Sequence, residues 1–478
     1  MAIRFTKIVC TIGPSCNTEE KITALIEAGM NVARLNFSHG THEDHAANIG
    51  RIRRVANRLN RPVAILQDLQ GPKIRTGWLE DHKPVELVDG AALVITTRDM
   101  LGNVREVATT YDGLPGDVRP GDRVLLDDGL LELRVERVEG TEVHTRVVHG
   151  GLLKEHKGIN LPGVLVNAPS LTEKDRQDLA FGIQQQVDYV ALSFVRRAED
   201  LAMMKRALVE IDPRAAKMPI IAKLEKPAAL DNLDSIVDIA DGVMVARGDL
   251  GVELSPQQVP TAQKRIIEAA NRQRKIVITA TQMLESMIHN PIPTRAEVSD
   301  VANAIFDGSD AVMLSGETAS GQYPIEAVKM MASIAEEAEA NSSKYSRWRV
   351  PNEVTSDDSV ALARAARELA HDREVQAIAV FTLTGRNARV LSKARPHVPI
   401  LAFTPEPKTF LRMALMWGVV PYLVPQADSV ETMIAHVEAA MLLNSPVRPG
   451  HQVIMIGGLP PTKLVPANFI LLHTVGRS

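Results

Sequence analysis

Two carboxylates and an ammonium group follow two short apolar runs in this sequence. Lys223 and Glu225 come directly after the run Ile220–Ala222, and Asp249 follows the run Val243–Val245. A helix-length segment separates the runs, which predicts a β-α-β unit whose loops open at one end of a parallel sheet. Two carboxylates with open positions suit Mg²⁺, which prefers oxygen ligands. A lysine beside the metal can stabilise charge that develops during a reaction.

Short apolar runs that end in polar residues recur along the first two thirds of the chain. Eight of them are predicted strands: Lys7–Thr11, Asn31–Phe37, Val63–Gln67, Tyr189–Phe194, Ile220–Lys223, Gly242–Ala246, Ile276–Ala280 and Ala311–Leu314. Segments of helical period separate most of them: Glu173–Gln186, Ala198–Glu210, Gln257–Arg274 and Tyr323–Glu339. Continuous apolar runs are typical of strands buried on both faces.

Eight β-α units is the number that closes a TIM (β/α)8 barrel, so the predicted fold class is α/β. A doubly wound open sheet is the alternative. In a barrel the residues that follow each strand share one face. The pattern therefore predicts that eight polar side chains converge: Arg34, Asn36, Asp68, Lys223, Glu225, Asp249, Thr281 and Ser315.

The barrel pattern is interrupted and then followed by a third region. Residues 71–166 alternate apolar and polar and carry Asp-Gly and Glu-Gly turns, which predicts an inserted small β-barrel lid domain. The barrel domain then comprises residues 1–70 and 167–345. Past the polar linker Asn341–Asn352, residues 346–478 alternate helices with apolar strands and predict a C-terminal α/β domain. Its predicted strands are Ala377–Phe381, Pro399–Phe403, Val419–Val424, Gln452–Ile456 and Phe469–His473.

Composition narrows the class of protein. The 478 residues carry a formal net charge of −4 and no basic stripe, which argues against a nucleic-acid partner. No apolar run reaches the roughly 18 residues of a membrane span, and no signal peptide precedes the first strand. Cys10 and Cys16 are too few for a disulfide framework. We therefore expect a large cytoplasmic enzyme.

Several long strings in this sequence carry a family resemblance. They are KIVCTIGPSC, GMNVARLNFSHGTHEDH, QDLQGPKIRTG, KGINLPG, SFVRRAED, IIAKLEKP, DGVMVARGDLGVEL and ATQMLESMIHNPIPTRAEVSDVANAIFDGSDAVMLSGETASGQYP. In order and spacing they closely resemble pyruvate kinase. The resemblance implies transfer of the phosphoryl group of phosphoenolpyruvate to ADP, which yields pyruvate and ATP. It also implies a barrel, a β lid, a regulatory C-terminal domain and a homotetramer.

The same resemblance implies roles for the metal and substrate residues. Glu225 and Asp249 would hold Mg²⁺, with Mn²⁺ as a substitute, and Lys223 and Arg34 would contact the migrating phosphoryl group. The turn at Gly248-Asp249 would offer backbone N–H groups to the substrate carboxylate. The remaining roles are a proton relay and nucleotide contacts. The proton relay would consist of Thr281 and Ser315. The nucleotide would be contacted by Arg75, His39, Asn36 and Lys157. No Walker A motif is present.

Each of these residues also has a structural interpretation. Asp249 follows a glycine and could cap a turn, and Glu225 precedes a Pro that favours a helix start. Lys223 alone could be a surface lysine, and Thr281 could be the N-cap of the next helix. Lys157 could be a solvated loop residue.

Two other polar motifs are interpreted as structural. In the string HGTHEDH, Thr41 with its following acids predicts a helix start, with His42 and His45 on the exposed side rather than in a metal site. The string Asp127-Asp128-Gly129 predicts a hairpin turn.

The motif QDLQGPKIRTG departs from the pattern of many pyruvate kinases, which have a small hydroxyl residue and a glutamate where Leu69 and Lys73 stand. In the K⁺-requiring form a monovalent cation is bound by residues that match Asn36, Ser38, Asp68 and position 69. Leu69 has no side-chain oxygen, and Lys73 brings its own ammonium charge. We therefore expect that K⁺ is not required.

The string VFTLTGRNARV predicts an effector phosphate site. A strand leads through a turn into a helix there, with hydroxyl and backbone donors at the helix start: Thr382, Thr384, Gly385, Arg386 and Asn387. An ordinary capped turn is the alternative. The family's effector site lies at this element, which favours a sugar phosphate or nucleoside monophosphate. The segment GGLPPTKLVPANF matches the family's effector loop poorly, which argues against fructose 1,6-bisphosphate.

Two other functions stay open on sequence grounds. One is a different Mg²⁺-enolate barrel enzyme that acts on pyruvate or phosphoenolpyruvate without a nucleotide. The other is a non-catalytic sensor whose barrel binds a metabolite. Arg75 and Lys157 in the lid argue against the first, and the complete set of polar residues argues against the second.

Overall fold

The chain begins with the first units of a β/α barrel, in a computed structural model that describes residues 3–164, 166–346 and 354–476. Its opening elements are β1 (Lys7–Thr11), α1 (Glu19–Ala28), β2 (Val32–Asn36), α2 (His42–Arg58) and β3 (Ala64–Asp68). The predicted start of α2 is confirmed, because Thr41 Oγ1 accepts from Asp44 N while Asp44 Oδ2 accepts from Thr41 N. This reciprocal cap satisfies N–H groups that the first turn leaves without helical partners.

The inserted region forms its own largely antiparallel sheet and its own core. Its elements are β4 (Val85–Leu87), β5 (Ala92–Thr96), β6 (Glu106–Ala108), α3 (Leu114–Asp117), β7 (Arg123–Leu126), β8 (Leu131–Glu139), β9 (Glu142–His149), β10 (Gly151–Leu153) and β11 (Ile159–Asn160). Six strands pair in the order β11-β7-β8-β9-β5-β6, in which only β5 and β6 pair in parallel, and β10 pairs with β4. The turn predicted at Asp127–Gly129 joins the antiparallel strands β7 and β8, as expected.

The barrel then resumes and closes. Its remaining elements are α4 (Glu173–Gln184), β12 (Tyr189–Leu192), α5 (Ala198–Ile211), β13 (Ile220–Leu224), α6 (Pro227–Asp231), α7 (Leu233–Ile239), β14 (Gly242–Ala246), α8 (Arg247–Glu253), α9 (Val259–Arg272), β15 (Ile276–Ala280), α10 (Arg295–Phe306), β16 (Ala311–Leu314), α11 (Gly316–Ala319), α12 (Pro324–Ala340) and α13 (Ser342–Tyr345). Eight parallel strands close in the order β1-β16-β15-β14-β13-β12-β3-β2. The predicted TIM barrel is confirmed, and the open-sheet alternative is wrong.

The C-terminal region is a separate α/β layer structure. Its elements are α14 (Asp358–Asp372), β17 (Ile378–Phe381), α15 (Arg386–Ala394), β18 (Ile400–Thr404), α16 (Pro407–Arg412), β19 (Val419–Leu423), α17 (Val430–Asn444), β20 (Gln452–Gly457) and β21 (Phe469–Thr474). The sheet order is β19-β18-β17-β20-β21, with β21 antiparallel to β20. Of the predicted linker, residues 341–346 are described and residues 347–352 lie outside the described residues.

The base of the barrel packs on the C-terminal domain. Lys7 Nζ donates to the Val419 carbonyl oxygen at 2.7 Å, and the Tyr189 hydroxyl donates to the Arg412 carbonyl oxygen at 2.7 Å. The opposite end of the barrel, where the strands finish, therefore faces the lid. Among the helices that the structure describes, none combines the length and apolarity of a membrane span.

Candidate active site

Lys223 lies at the centre of a buried polar cluster at the end of β13. Its Nζ is 2.9 Å from Glu225 Oε1 and 3.2 Å from Asp68 Oδ1, and it donates to Ser193 Oγ at 2.7 Å. Parallel strands whose ends are in register bring these residues together from β3, β12 and β13. The surface-lysine interpretation of Lys223 is therefore wrong, because three partners hold its ammonium group inside the barrel mouth.

Opposite charges set the protonation of this cluster. Burial alone would lower the pKa of Lys223, but Asp68 and Glu225 together raise it above its ordinary value. Burial likewise disfavours the charged form of Asp68, yet Lys223 and Arg34 hold its pKa below the ordinary value. The charged forms of both groups, the Lys223 ammonium and the Asp68 carboxylate, are thus favoured.

Arg34 reaches the same cluster from the end of β2. Its Nε donates to Asp68 Oδ2 at 2.7 Å and its Nη1 donates to Thr11 Oγ1 at 3.0 Å. Both oxygens of Asp68 are therefore engaged by cations. Two positive groups on either side of one buried carboxylate form a fixed cationic surface at the barrel mouth.

Glu225 and Asp249 are the two carboxylates of the predicted metal site. Glu225 Oε2 accepts from Phe194 N at 2.8 Å, whereas its buried Oε1 has no hydrogen bond and only the ionic contact with Lys223. Burial raises the pKa of Glu225, and the nearby Asp249 adds to that effect. Because Glu225 Oε1 accepts no hydrogen bond, its lone pairs can coordinate a divalent cation.

Asp249 faces the lid. Its Oδ1 is 3.2 Å from Lys73 Nζ, an ion pair that joins α8 to the segment following β3. No group of three or more His, Cys, Asp or Glu side chains with the arrangement of a metal site occurs in the part of the chain that the structure describes. A metal held by Glu225 and Asp249 would therefore take further ligands from substrate and water.

Thr281 is locked into the loop after β15. Its Oγ1 accepts from Gly248 N at 2.8 Å and donates to the Ala280 carbonyl oxygen at 2.6 Å. Its φ of 66° lies in the left-handed region, which is strained for a β-branched residue. Thr281 does not cap a following helix, so that interpretation is wrong. The Gly248 N–H is engaged within the chain.

The loop that carries Thr281 is held by an arginine. Arg247 Nη2 donates to the Thr281 carbonyl oxygen at 2.8 Å, and its Nη1 donates to Asp300 Oδ2 at 2.7 Å. Because the guanidinium group is planar and forked, it fixes two elements at once. Ser315 lies at the end of β16, where its N–H donates to Glu317 Oε2 at 2.7 Å and its buried Oγ has no hydrogen-bond partner.

The predicted nucleotide residues lie along the side of the mouth that faces the lid. Arg75 Nη1 donates to the His156 carbonyl oxygen at 3.0 Å, and Lys157 Nζ is 2.8 Å from Asp127 Oδ1. Lys157 thus has an ionic partner in the lid. Burial lowers the pKa of His39, and the charges of Arg75, Arg34 and Lys73 lower it further. Those four side chains are therefore electrostatic neighbours.

Only some of the residues that match the family's monovalent-cation site face the cluster around Lys223. Asn36 Oδ1 accepts from Ser38 N at 3.2 Å, and Asp68 is paired with Arg34 and Lys223 as described above. The Leu69 side chain is buried in the barrel core, and only its carbonyl oxygen, which accepts from Ser193 Oγ at 2.7 Å, points to the cluster. Lys73 contacts Asp249 rather than these residues.

The prediction that His45 lies on the exposed side of α2 is wrong. His45 is buried and stacks on Phe37 at a centroid distance of 4.0 Å, because it shares a helix face with the buried residues Ile49 and Ile52. His42 is half-exposed, and its Nε2 lies 2.7 Å from Asp178 Oδ1. Both rings thus pack against or bond to neighbouring elements of the fold.

The predicted effector turn is folded as a capped helix start. Thr382 Oγ1 accepts from Gly385 N at 3.1 Å, and Thr384 Oγ1 accepts from Arg386 N at 3.4 Å. Gly385 has a φ of 81°, which a residue with a side chain rarely adopts. Arg386 Nη2 donates to Asp357 Oδ2 at 2.6 Å, and Asn387 Oδ1 accepts from Ser359 Oγ at 3.2 Å. Both hydroxyls thus support the capped-turn alternative.

Sequence reasoning assigned no role to three residues of the site. Ser193 holds Lys223, Thr11 holds Arg34, and Arg247 holds the Thr281 loop. The available signal was position, since Ser193 and Arg247 each come directly after a barrel strand and Thr11 ends one. Residues at the carboxyl ends of barrel strands are the usual functional positions of this fold.

Known proteins resemble this chain in sequence and in fold. The family model described as "Pyruvate kinase, barrel domain" matches residues 3–328, and "Pyruvate kinase, alpha/beta domain" matches residues 360–473. A pyruvate kinase of Geobacillus stearothermophilus is 46% identical over 99% of this chain and 80% of its own length. One from Clostridium acetobutylicum is 43% identical over 98% of this chain and 99% of its own length. The crystal structure of a pyruvate kinase from Cryptosporidium parvum superposes with a TM-score of 0.90 at 39% identity, covering 99% of this chain and 96% of that one.

Proposed function

The chain belongs to the pyruvate kinase family and is a phosphotransferase, and from that premise we propose how its own residues divide the reaction. The P–O bond of phosphoenolpyruvate breaks, a terminal oxygen of ADP takes the phosphoryl group, and the remaining enolate gains a proton to become pyruvate. The observation that carries the proposal is Lys223 held between Asp68 and Glu225 at the barrel mouth. Family membership sets aside both the nucleotide-free enzyme and the non-catalytic sensor.

Glu225 and Asp249 are the proposed ligands of Mg²⁺, which Mn²⁺ can replace. The support is chemical, because one Glu225 oxygen is buried without a hydrogen bond and Asp249 faces the same mouth with a single lysine contact. A bound divalent ion supplies charge that stabilises an enolate and its departing phosphate. Phe194 N holds the other oxygen of Glu225, which fixes the carboxylate plane.

Lys223 and Arg34 bind the phosphoryl group in this proposal. Phosphoryl transfer depends on positioning and charge neutralisation, so two fixed cations suit the task. Arg34 is oriented by Asp68 and Thr11, and Lys223 by Ser193. Both side chains are therefore already oriented before substrate binds.

Thr281 and Ser315 are proposed to deliver the proton to the enolate. The Thr281 hydroxyl is held between Gly248 N and the Ala280 carbonyl oxygen, and the buried Ser315 hydroxyl has no partner. Gly248 and Asp249 are proposed to bind the substrate carboxylate. The Gly248 donor must then exchange Thr281 Oγ1 for that carboxylate, which would also free the hydroxyl to act.

The lid side of the mouth is proposed to bind the nucleotide. Arg75 and Lys157 would contact its phosphates, with His39 and Asn36 beside them. Lys157 is paired with Asp127, and we propose that a nucleotide phosphate replaces that carboxylate. Residues 71–166 would act as the lid, 1–70 and 167–345 as the catalytic barrel, and 346–478 as the regulatory domain.

We propose that activity is independent of K⁺. Leu69 buries its side chain in the core, and the Lys73 ammonium group stands 3.2 Å from Asp249, so a tethered cation is present beside a proposed Mg²⁺ ligand. The shell of Asn36, Ser38 and Asp68 would then need no diffusible ion.

Regulation and assembly are proposed from the family resemblance. A sugar phosphate or nucleoside monophosphate would bind the turn formed by residues 382–387, and the enzyme would be a cytoplasmic homotetramer. Arg386 is the cation of that turn, although Asp357 occupies it in this structure. Loss of activation in Arg386→Ala with unchanged maximal turnover is the expected outcome.

The experiment is ATP formation from phosphoenolpyruvate and ADP with Mg²⁺ in tetramethylammonium buffer, with and without K⁺. We expect the wild type to have equal rates with and without K⁺. Lys73→Met should have a lower rate without K⁺, and added K⁺ should restore it. A wild type active only with K⁺ would refute the role of Lys73, and no activity in either buffer would refute the proposed reaction. Lys223→Met should lose several orders of magnitude in rate while it still binds ADP.

A further inference from the structure

A large cavity lies at the opposite end of the barrel from Lys223. It has a volume of about 1060 Å³ and is lined by residues 53–61, 180–188, 211–218 and 407–412, which we call the basal crevice. Three of these segments lead out of barrel helices α2, α4 and α5, and the fourth is essentially helix α16 of the C-terminal domain. The crevice therefore lies where two domains meet, a common position for small-molecule sites.

The basal crevice carries an excess of positive charge. Six basic residues line it: Arg53, Arg61, Arg214, Lys217, Lys408 and Arg412. Its two acids are already paired within the wall, Asp188 with Arg53 and Asp212 with Arg214, each at 2.8 Å. Since the whole chain has a formal net charge of −4, this excess is local.

Four of the cations have no acidic partner within ion-pair distance in the described chain. They are Arg61, Lys217, Lys408 and Arg412. The first three are exposed, so their ammonium and guanidinium groups are available to a solute. Like charges held close together repel one another, and a bound anion relieves that repulsion.

Arg412 gives the crevice a fixed donor. Its Nη1 donates to the Lys217 carbonyl oxygen at 3.3 Å, and its own carbonyl oxygen accepts from the Tyr189 hydroxyl at 2.7 Å, which ties α16 to the barrel. Its Nε is buried and has no hydrogen-bond partner. A buried donor without an acceptor is unfavourable, so an added acceptor is stabilising.

We propose that the basal crevice binds a small phosphorylated metabolite, at a site separate from both the active site and the turn formed by residues 382–387. Guanidinium and ammonium groups on several sides match the oxygens of a phosphate. The amides of Asn57 and Asn60 and of residues 184–186 supply further donors for a polar body. The volume is near the upper end of the roughly 300–1,000 Å³ of small-molecule sites, which favours a metabolite over inorganic phosphate alone.

The position of the crevice suits a regulatory ligand. Lys217 and Arg412 also line a second cavity of about 710 Å³, whose other wall includes Thr384 and Arg386 of the proposed effector turn. Helix α16 touches that turn directly, because Thr409 Oγ1 donates to the Leu383 carbonyl oxygen at 2.8 Å. A ligand that draws α16 toward the barrel would therefore act on the effector turn as well.

The test is hydrogen–deuterium exchange of the full-length protein with and without inorganic pyrophosphate in metal-free buffer. We expect slower exchange in residues 211–218 and 407–412 of the wild type. The double variant Arg61→Glu/Lys408→Glu should lose this protection, with an apparent Kd at these segments raised at least about tenfold. Both positions are exposed and remote from the catalytic cluster, so we expect normal folding and basal turnover.

A matched control separates the crevice from general charge effects. Lys21→Glu/Lys344→Glu makes the same change in formal charge at exposed positions on α1 and α13, and it should keep the protection. Arg386→Ala should also keep it, because that residue belongs to the other site. Protection that survives the crevice double variant, or that occurs only at residues 382–387 or the active site, would overturn the proposal. So would protection by a polyglutamate peptide but not by pyrophosphate.

Discussion

Lys7 offers a sharp test of the packing between barrel and C-terminal domain. Its Nζ donates to the Val419 carbonyl oxygen at 2.7 Å, and only 4% of the residue is exposed. Burial lowers the pKa of Lys7 from 10.5 to about 7, an effect that Arg4 strengthens and Glu339 opposes. We therefore predict that Lys7→Met changes the pH dependence of stability in a defined window.

The sign follows from proton binding. Between about pH 7 and 10.5 the unfolded chain holds the Lys7 proton and the folded chain releases it, so stability rises with pH across that window. The stability that depends on a neutral Lys7 is fully present above pH 10.5 and is lost as the pH falls to about 7. At about 1.4 kcal/mol per pH unit, the loss approaches roughly 5 kcal/mol. Lys7→Met does not lose this stability at low pH. Its Val419 carbonyl oxygen is left without a donor, however, which lowers the free energy of unfolding of the variant by about 1–3 kcal/mol.

The assay is guanidinium denaturation, followed by circular dichroism at equal protein concentration near pH 6 and near pH 9.5. Lys7→Met should be more stable than the wild type by about 2–4 kcal/mol near pH 6, and the difference should shrink toward zero near pH 9.5. Lys7→Arg, which stays charged, should be less stable than the wild type near pH 9.5, and the difference should be small near pH 6, where Lys7 is charged as well. Exposed Lys21→Met should change neither. An equal difference between wild type and Lys7→Met at both pH values would refute the reasoning.

Three further predictions concern the site and its lid. Ser193→Ala should lower kcat about tenfold with little change in KM for phosphoenolpyruvate, because Lys223 loses its 2.7 Å acceptor; a change in KM alone would contradict this. Arg196→Met should speed hydrogen exchange in residues 166–170, since Arg196 Nη2 donates to the Ala168 carbonyl oxygen and Ser170 Oγ at 3.0 Å each; unchanged exchange there would argue against a clamp. Gly71→Ala should lower the melting temperature, because φ is 68° and the new Cβ would lie 2.9 Å from Ser193 Cβ; a neutral result would show that the loop can move.

Much of the fold could be predicted because local pattern and tertiary role coincide in this chain. A strand buried on both faces must be continuously apolar, so the eight barrel strands are visible as runs that end in polar residues. The same rule places Lys223 and Glu225 beside the end of their strand, and closure of the barrel brings Asp68 to them. His45 shows where the reasoning failed, although its spacing to Ile49 and Ile52 already indicated a buried face.

The sequence by itself determined the order of elements, the barrel, the family and the polar residues that end the strands. These follow from periodicity and motif, which are properties of neighbouring residues. The tertiary structure decided which partner each polar group meets: Lys73 with Asp249, 176 positions apart, Lys223 with Ser193, and Lys7 with Val419. It also decided that unpaired cations from three segments share one crevice. Such contacts depend on distances and burial across the packed chain, which no local pattern encodes.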